Sequence, residues 1–419
     1  MAATFDTEVL IAGGGMVGLT LAAALGGAGI GVTVIEPAAE SARLDPIYDG
    51  RASAIAAGSR NLLEGAGAWA DMAPEAEPIL DIRVSDGRPG RRASPFFLHY
   101  DHRALAAAAS PAAPFGHIVE NRVIRRALVA RVAALPSVTL LAGRIAGPPA
   151  HDAAGVAVTL PDGRRLRAPL LVAADGKDSA LRQAAGIAVT RWAYPQTALV
   201  ATVGHALPHH GVAHENFLPA GPFAMLPMTD DAEGHRSSLV WTERRALAPA
   251  MLALSDEDFA DELMRRFGGS LGRLRLRGRR WSYPLGLHHA ERYVDRRLAL
   301  VGDAAHLIHP IAGQGLNLGL RDAAALAEAV ADARRLGLDI GEAPVLERYQ
   351  RWRRFDTVML AAVTDGLNRL FSNDLGPLRL ARDLGLAAVD RLPGLKRFLM
   401  RDAMGVTGAL PRLIRGEPL

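Results

Sequence analysis

Glu8-Val-Leu-Ile-Ala12 runs directly into Gly13-Gly14-Gly15-Met16-Val17-Gly18, and this junction decides the fold. The apolar residues before the glycines make a run of strand length. The alanine- and leucine-rich stretch to about Gly26 reads as a helix, and Gly31-Val-Thr-Val-Ile35 as a second strand ending in Glu36. Strand, glycine turn, helix, strand and acid, in that order, predict a dinucleotide site on a parallel sheet. Gly13 allows the tight turn, Gly15 lets the backbone approach a pyrophosphate, and Gly18 lets the helix pack close to the sheet. The helix start offers free N–H groups and the positive end of its dipole to the phosphates. Glu36 stands where a carboxylate can accept hydrogen bonds from ribose hydroxyls. A glycine-rich turn without a nucleotide would explain the triplet alone, but not the second strand and acid. The motif does not separate FAD from NAD.

Two further strand-like runs end in polar, glycine-containing turns. Leu170-Leu-Val-Ala-Ala174 ends in Asp175-Gly176-Lys177-Asp178-Ser179, with Arg182 beyond. Arg297-Leu-Ala-Leu-Val301 ends in Gly302-Asp303-Ala304-Ala305-His306, followed by Pro310 and Gly313-Gln314-Gly315-Leu316-Asn317. Ligands on open α/β sheets gather at the carboxyl ends of strands, so three such ends favour a long cofactor. Asp303 is placed to accept hydrogen bonds from a sugar-alcohol chain. Gly313 to Asn317 would open a helix whose N–H groups face an electron-rich ring edge. Taken singly, Asp175 also suits an Asp-Gly turn and Asp303 a helix N-cap.

In this order the three motifs resemble the class A flavoprotein monooxygenases, the superfamily of para-hydroxybenzoate hydroxylase. The resemblance implies FAD as cofactor, with Gly13, Gly15, Val17, Gly18 and Glu36 at its ADP part. It implies Asp175 near the pyrophosphate, Asp303 at the ribityl chain, and Pro310, Gly313, Gln314, Gly315, Leu316 and Asn317 at the isoalloxazine. Asp49-Gly50-Arg51-Ala52 fits the family's Asp-x-Arg-Ala setting, so Arg51 is expected at the flavin. Many members have an arginine where this chain has Asn121; that departure matches the ubiquinone-biosynthesis branch. Gly116-His-Ile-Val-Glu-Asn121, Trp192-Ala-Tyr-Pro-Gln196, Phe217 to Pro227 and Thr364-Asp365-Gly366-Leu367 resemble that branch too. The likeness implies hydroxylation of a polyprenylated phenol with NAD(P)H and O2, through a flavin C4a-hydroperoxide. With no second dinucleotide fingerprint, NAD(P)H is expected to bind transiently at the flavin. No catalytic base is identified; Pro310 and Gly315 are the flavin-adjacent candidates. A hydroxylase of small soluble phenols, a flavin reductase of isoprenoid chains and a non-catalytic flavin-binding scaffold stay as alternatives, the last disfavoured by the intact flavin loop.

The expected architecture is α/β: a Rossmann-like FAD-binding domain from 1–75, 101–183 and 285–360, an interleaved β-sheet substrate domain from 76–100 and 184–284, and a C-terminal helical region, 361–419. Phe223, Met225, Leu226 and Pro227 are candidates to line the ring site, with core packing the competing reading for each. With 419 residues, 49% hydrophobic, the chain has material for more than one core. It has no cysteine, which excludes disulfides, zinc-thiolate sites and a cysteine nucleophile. No signal peptide or membrane-spanning run is read, and a cytoplasmic location, peripheral on the inner face of the membrane, is expected. A net charge of +4, with lysine only at 177 and 396, gives no nucleic-acid footprint. His209-His210-Gly-Val-Ala-His214 reads as a polar loop and not a metal site. His306 and His309 beside the flavin motif suit packing better than a proton relay. The stretch Leu392 to Arg401 mixes basic and apolar residues, and suits a membrane surface, a partner protein or the chain's own FAD domain.

Overall fold

In the computed structural model, residues 4–38, 50–90, 97–105, 113–372, 389 and 391–419 are described. Asp49 lies outside them, as do parts of the expected segments 76–100 and 361–419. The first unit is a six-stranded sheet in the order Val294–Asp295, Leu298–Leu300, Leu170–Ala173, Val9–Ala12, Val32–Glu36, Val138–Ala142. All neighbours are parallel except the short hairpin at 294–300. The central strands are apolar throughout because helices cover both faces. The first helix, Met16–Gly27, is buried from Gly18 to Gly26 and packs beside the 22-residue helix Gln314–Arg335.

Register brings the motifs together. Ala12 pairs with both Ala173 and Ile35, and Ala173 pairs with Leu300. The glycine turn, Glu36, Asp175 and Asp303 therefore leave one edge of one sheet. They come from adjacent strands, although the sequence separates them by up to nearly three hundred residues.

The second unit is an eight-stranded sheet. Its order is His306–Leu307, Leu274–Ala290, Val189–His205, Gly234–Arg244, Gly221–Asp231, Val212–Leu218, Asp81–Asp86, Phe97–Asp101. Pairing is antiparallel except between 212–218 and 81–86. Strands from both expected substrate segments meet here. The strand that begins at Leu274 continues past residue 284 to Ala290. Its end pairs with His306 and Leu307, which ties this sheet directly to the third motif. A small antiparallel sheet of Ala52–Ala56, Gly116–Glu120 and Glu77–Ile79 fills the space between the units. The long helix Ala343–Phe371 and the tail helix Pro393–Ala403 pack over this junction.

Candidate active site

The glycine turn is built by crowding. Gly13 holds φ +106°, and a Cβ there would lie 2.3 Å from the Ala174 carbonyl oxygen. A Cβ on Gly18 would lie 2.1 Å from the Gly13 oxygen. Gly15 differs: nothing lies within 4 Å of its Cβ position, and it N-caps the first helix without a side chain. Two glycines are thus required by neighbouring backbone, and the third leaves open space before a helix N-terminus. Val17 is wedged between Gly302 and Gly319, so it spaces the first helix from the third motif. The Glu36 carboxylate accepts from Gly14 N at 2.5 Å and Ala38 N at 2.9 Å, which fixes it beside the glycine turn.

The Gly302–Ala304 turn is held from three sides. Asp322 accepts from Gly302 N at 3.0 Å. His288 Nε2 donates to the Asp303 carbonyl at 2.8 Å. Arg182 donates to the Ala304 carbonyl at 2.8 Å and, through its other terminal nitrogen, to the Lys177 carbonyl at 2.9 Å. Arg182 therefore couples the second motif to the third. The backbone is pinned, while the Asp303 side chain is exposed to solvent and makes no side-chain hydrogen bond among the described residues. Protein crowds it on most sides, as on the floor of a cleft. That desolvation raises its pKa, against the pull of His306, Arg51 and Lys177. Asp175 accepts from Ala180 N at 2.9 Å, at the start of a short helix that Ser179 caps; its other carboxylate oxygen is buried without a protein partner.

Asp322 anchors a buried charge cluster. It also accepts from His306 Nε2 at 2.6 Å and from Arg353 Nε at 2.9 Å. Burial alone would raise its pKa, but His306 and Arg353 overcome this and hold it low. Burial likewise opposes the charge on Arg353, and Asp322 reverses that. Neither Asp322 nor Arg182 was assigned a role from sequence. The signal was there in kind: polar residues inside otherwise apolar helices need partners.

The flavin loop rests on the small sheet. Gly313 adopts the left-handed conformation, φ +62°, at the start of the 314–335 helix. Asn317 is buried; its oxygen accepts from Ala56 N at 2.9 Å, and its amide donates to the carbonyls of Ala54, at 2.8 Å, and Gly313. Its side chain thus clamps the loop to strand 52–56 and is not free to face a ligand. Asn121 does similar work on the same strand: its N–H donates to the Arg51 carbonyl at 3.0 Å, and its side chain accepts from Ser53 Oγ at 2.6 Å. The Arg51 guanidinium lies 4.8 Å from the centroid of the Tyr283 ring. Pro310, Gln314, Gly315 and Leu316 are half-buried, and Gly315 has open space at its Cβ position.

The substrate-lining expectation needs correction. Phe223 and Met225 are fully buried on the far face of the large sheet, packed with Trp241, Phe259 and Leu263. Pro227 shares their parity and is buried as well. Strand residues alternate between faces, so candidates of both parities on one strand cannot line one site together. Leu226, with Met228 and Phe217, faces the flavin loop, sharing a cluster with Ile311, Ala52 and Ala54. Phe371 of the long helix and Met400 of the tail helix complete that cluster. Among the histidines, His209 bonds to the Met228 carbonyl at 2.9 Å, whereas His214 packs edge-on to Phe267. His309 is buried beside Pro310, edge-on to Tyr194, with its pKa lowered to about 4 by burial.

These residues fit an FAD: an open cradle at Gly15, a pinned Asp303 with an uncommitted carboxylate, and an orphaned Asp175 oxygen share one sheet edge. Comparison with known proteins agrees. The FAD binding domain family matches residues 6–354. The chain is 52% identical to ubiquinone hydroxylase UbiL of Rhodospirillum rubrum, over 98% of this chain and 93% of that one. It is 37% identical to 3-demethoxyubiquinol 3-hydroxylase of Escherichia coli, over 96% and 99% of the two chains. The crystal structure of p-nitrophenol 4-monooxygenase PnpA from Pseudomonas putida shares the fold, with a TM-score of 0.76 at 21% identity, covering 97% of this chain and 99% of that one. The chain therefore belongs to the ubiquinone-hydroxylase family of class A, FAD-dependent aromatic monooxygenases.

Proposed function

We propose that this enzyme hydroxylates the aromatic ring of a polyprenylated phenol in ubiquinone biosynthesis, taking electrons from NAD(P)H and oxygen from O2. Bound FAD supplies the redox chemistry that activates O2. The chain's own residues bind, orient and keep water out. Glu36 takes the adenosine ribose, and the N–H groups that open the first helix take the pyrophosphate beside Asp175. Asp303 takes the ribityl hydroxyls through its uncommitted carboxylate. The N-terminus of the 314–335 helix, from Gly313 to Leu316, faces the pyrimidine edge, where negative charge collects on reduction. Arg51, seated on Tyr283, adds a fixed positive charge beside it.

The observation that carries the substrate reading is the apolar junction of Ile311, Ala52 and Ala54 with Leu226, Met228 and Phe217. It packs apolar side chains of the large sheet directly against the flavin loop. A phenol ring packs beside this junction by area burial, and an isoprenoid tail extends from it toward the long helix. The activities for which the relatives are named point to the same substrate class. The test is turnover of the FAD-loaded protein with phenols of increasing prenyl length. KM should fall as the chain lengthens; a KM independent of length favours a small soluble phenol instead.

A further inference from the structure

Pro195 and Gln196 stand where the strand Val189–His205 loses register with its neighbour Leu274–Ala290, between the pairs Ala193 with Gly286 and Thr197 with Pro284. A cleft of about 600 Å³ lies at this place. Its walls are apolar. Pro195 forms one, Pro219 and Ala220 in the turn between strands Val212–Leu218 and Gly221–Asp231 form another, and Ala246 after strand Gly234–Arg244 closes a third side. Its floor is a fixed polar tie. Gln196 is buried; its amide donates to the Ala220 carbonyl at 2.8 Å and to Ser372 Oγ at 3.2 Å, and its oxygen accepts from Asn368 Nδ2 at 3.1 Å. Sheet, turn and the end of the long helix are thus locked together, and the Gln196 amide is committed to protein.

Two exposed arginines, Arg244 and Arg245, stand at the rim. Their turn is held by its own backbone: Arg245 N donates to the Pro195 carbonyl at 2.9 Å, and Leu247 N to the Arg244 carbonyl at 2.9 Å. The Arg245 guanidinium donates to the Tyr194 carbonyl at 2.5 Å. The Arg244 guanidinium makes no ion pair and no hydrogen bond among the described residues. Other arginines of this sheet differ: Arg236 pairs with Glu120, Arg277 with Asp231 and Arg280 with Asp256. No carboxylate is among the described residues that line the cleft. Two positioned positive charges over apolar walls match a molecule with an apolar body and an anionic head. A neutral lipid would leave the arginines unmet, and a small anion would leave the walls wet. A nucleotide fits poorly, since no aromatic ring lines the cleft to stack a base among the described residues.

We propose that this cleft binds an anionic amphiphile. Its carboxylate or phosphate sits between Arg244 and Arg245, and its chain lies against Pro195, Pro219, Ala220 and Ala246. None of the residues assigned to FAD lines the cleft. It borders the apolar junction instead: Phe217 precedes the turn, Phe371 precedes Ser372, and their rings pack with centroids 4.2 Å apart. An occupant should therefore compete with the tail of a prenylated substrate and raise its KM. That consequence rests on the proposed function; the binding itself rests on the cleft alone.

The test is calorimetric titration of the FAD-loaded full chain with laurate, farnesyl diphosphate, farnesol and inorganic pyrophosphate, each as a monomer. Laurate, farnesyl diphosphate or both should bind at least about tenfold more tightly than farnesol and pyrophosphate. Which of the two binds better distinguishes a fatty acid from an isoprenoid phosphate, and either order supports the proposal. Arg244→Ala should weaken the bound anion about tenfold and leave farnesol unchanged. Ala246→Trp, which fills the cleft, should abolish binding of the anion. Both variants should keep the flavin spectrum and the melting temperature. The proposal is overturned if neither anionic chain binds, or if farnesol or pyrophosphate binds as tightly as they do. Anion binding by either variant at the parent's affinity overturns it too. Binding is read without turnover, so failure of the hydroxylase reading would show separately.

Discussion

The cofactor edge and the substrate face are built on different logic. At the cofactor edge, function sits in backbone geometry. Gly13 and Gly18 are glycines because a Cβ would strike neighbouring backbone. The Gly302–Ala304 turn is pinned by His288, Arg182 and Asp322, so that one carboxylate stays available. At the substrate face, function sits in which way side chains of a long strand point. Phe223 and Leu226 are three residues apart, yet one is in the far core and the other faces the flavin loop. The first kind of site tolerates almost no substitution; the second shifts its lining with a change of parity or volume.

The sharpest break in the cofactor edge comes from its buried charges. Asp322→Ala leaves Arg353 in the core without its main partner and frees the Gly302 turn. Removing one member of a buried pair costs about 3–5 kcal/mol. Chemical denaturation should show that loss, and titration with FAD should show weaker binding. Asp322→Asn, which keeps polar contacts, should lose less of both.

Across the two faces of the large sheet, a paired truncation separates core from lining. Phe223→Ala should cost about 3–5 kcal/mol of stability, as buried Phe truncations do, while the folded fraction keeps its KM for a prenylated phenol. Leu226→Ala, only partly buried, should cost less stability and raise KM. The reverse pattern would put the substrate on the far face.

A smaller effect is expected where space is open. Gly15→Ala meets no protein atom, so its melting temperature should hardly change. The added methyl stands before the helix N-terminus and should weaken FAD binding about tenfold, or about 1.4 kcal/mol. Equal losses in binding and stability would mean that Gly15 is needed by the fold and not by the ligand.

A last effect concerns pH. Burial lowers the pKa of His288 to about 4, from an ordinary value of 6.5. Between these values the unfolded chain binds a proton that the folded chain refuses. The resulting loss of stability begins as pH falls below about 6.5 and is complete near 4. His288→Gln keeps a donor for the Asp303 carbonyl and removes the titration. Unfolding midpoints followed across that window should therefore fall less steeply in the variant.

Much of this contrast was legible in the sequence, unevenly. Glycine turns after apolar strands report backbone needs that are local, so Gly13, Gly18, Glu36, Asp175 and Asp303 could be located before any coordinates. Their convergence followed from the rule that ligands collect at strand ends. Neither Arg182 nor Asp322 could be given a role, because their partners at Ala304, Gly302 and Arg353 are distant in the chain. Asn317 was placed at the flavin, but its side chain turns to strand 52–56. Phe223 and Met225 were grouped with Leu226 because alternation tells that two faces exist, not which faces the cofactor.

The central claim is that the pinned edge holds FAD so that oxygen is transferred to a prenylated ring. The direct measurement uses the purified protein with NAD(P)H, a prenylated phenol and isotopically labelled O2. The account predicts a yellow protein, NAD(P)H oxidation stimulated by the phenol, and one labelled oxygen on the aromatic ring. A protein that takes up no flavin would contradict it, as would one whose oxidised NAD(P)H yields only hydrogen peroxide and an unlabelled phenol.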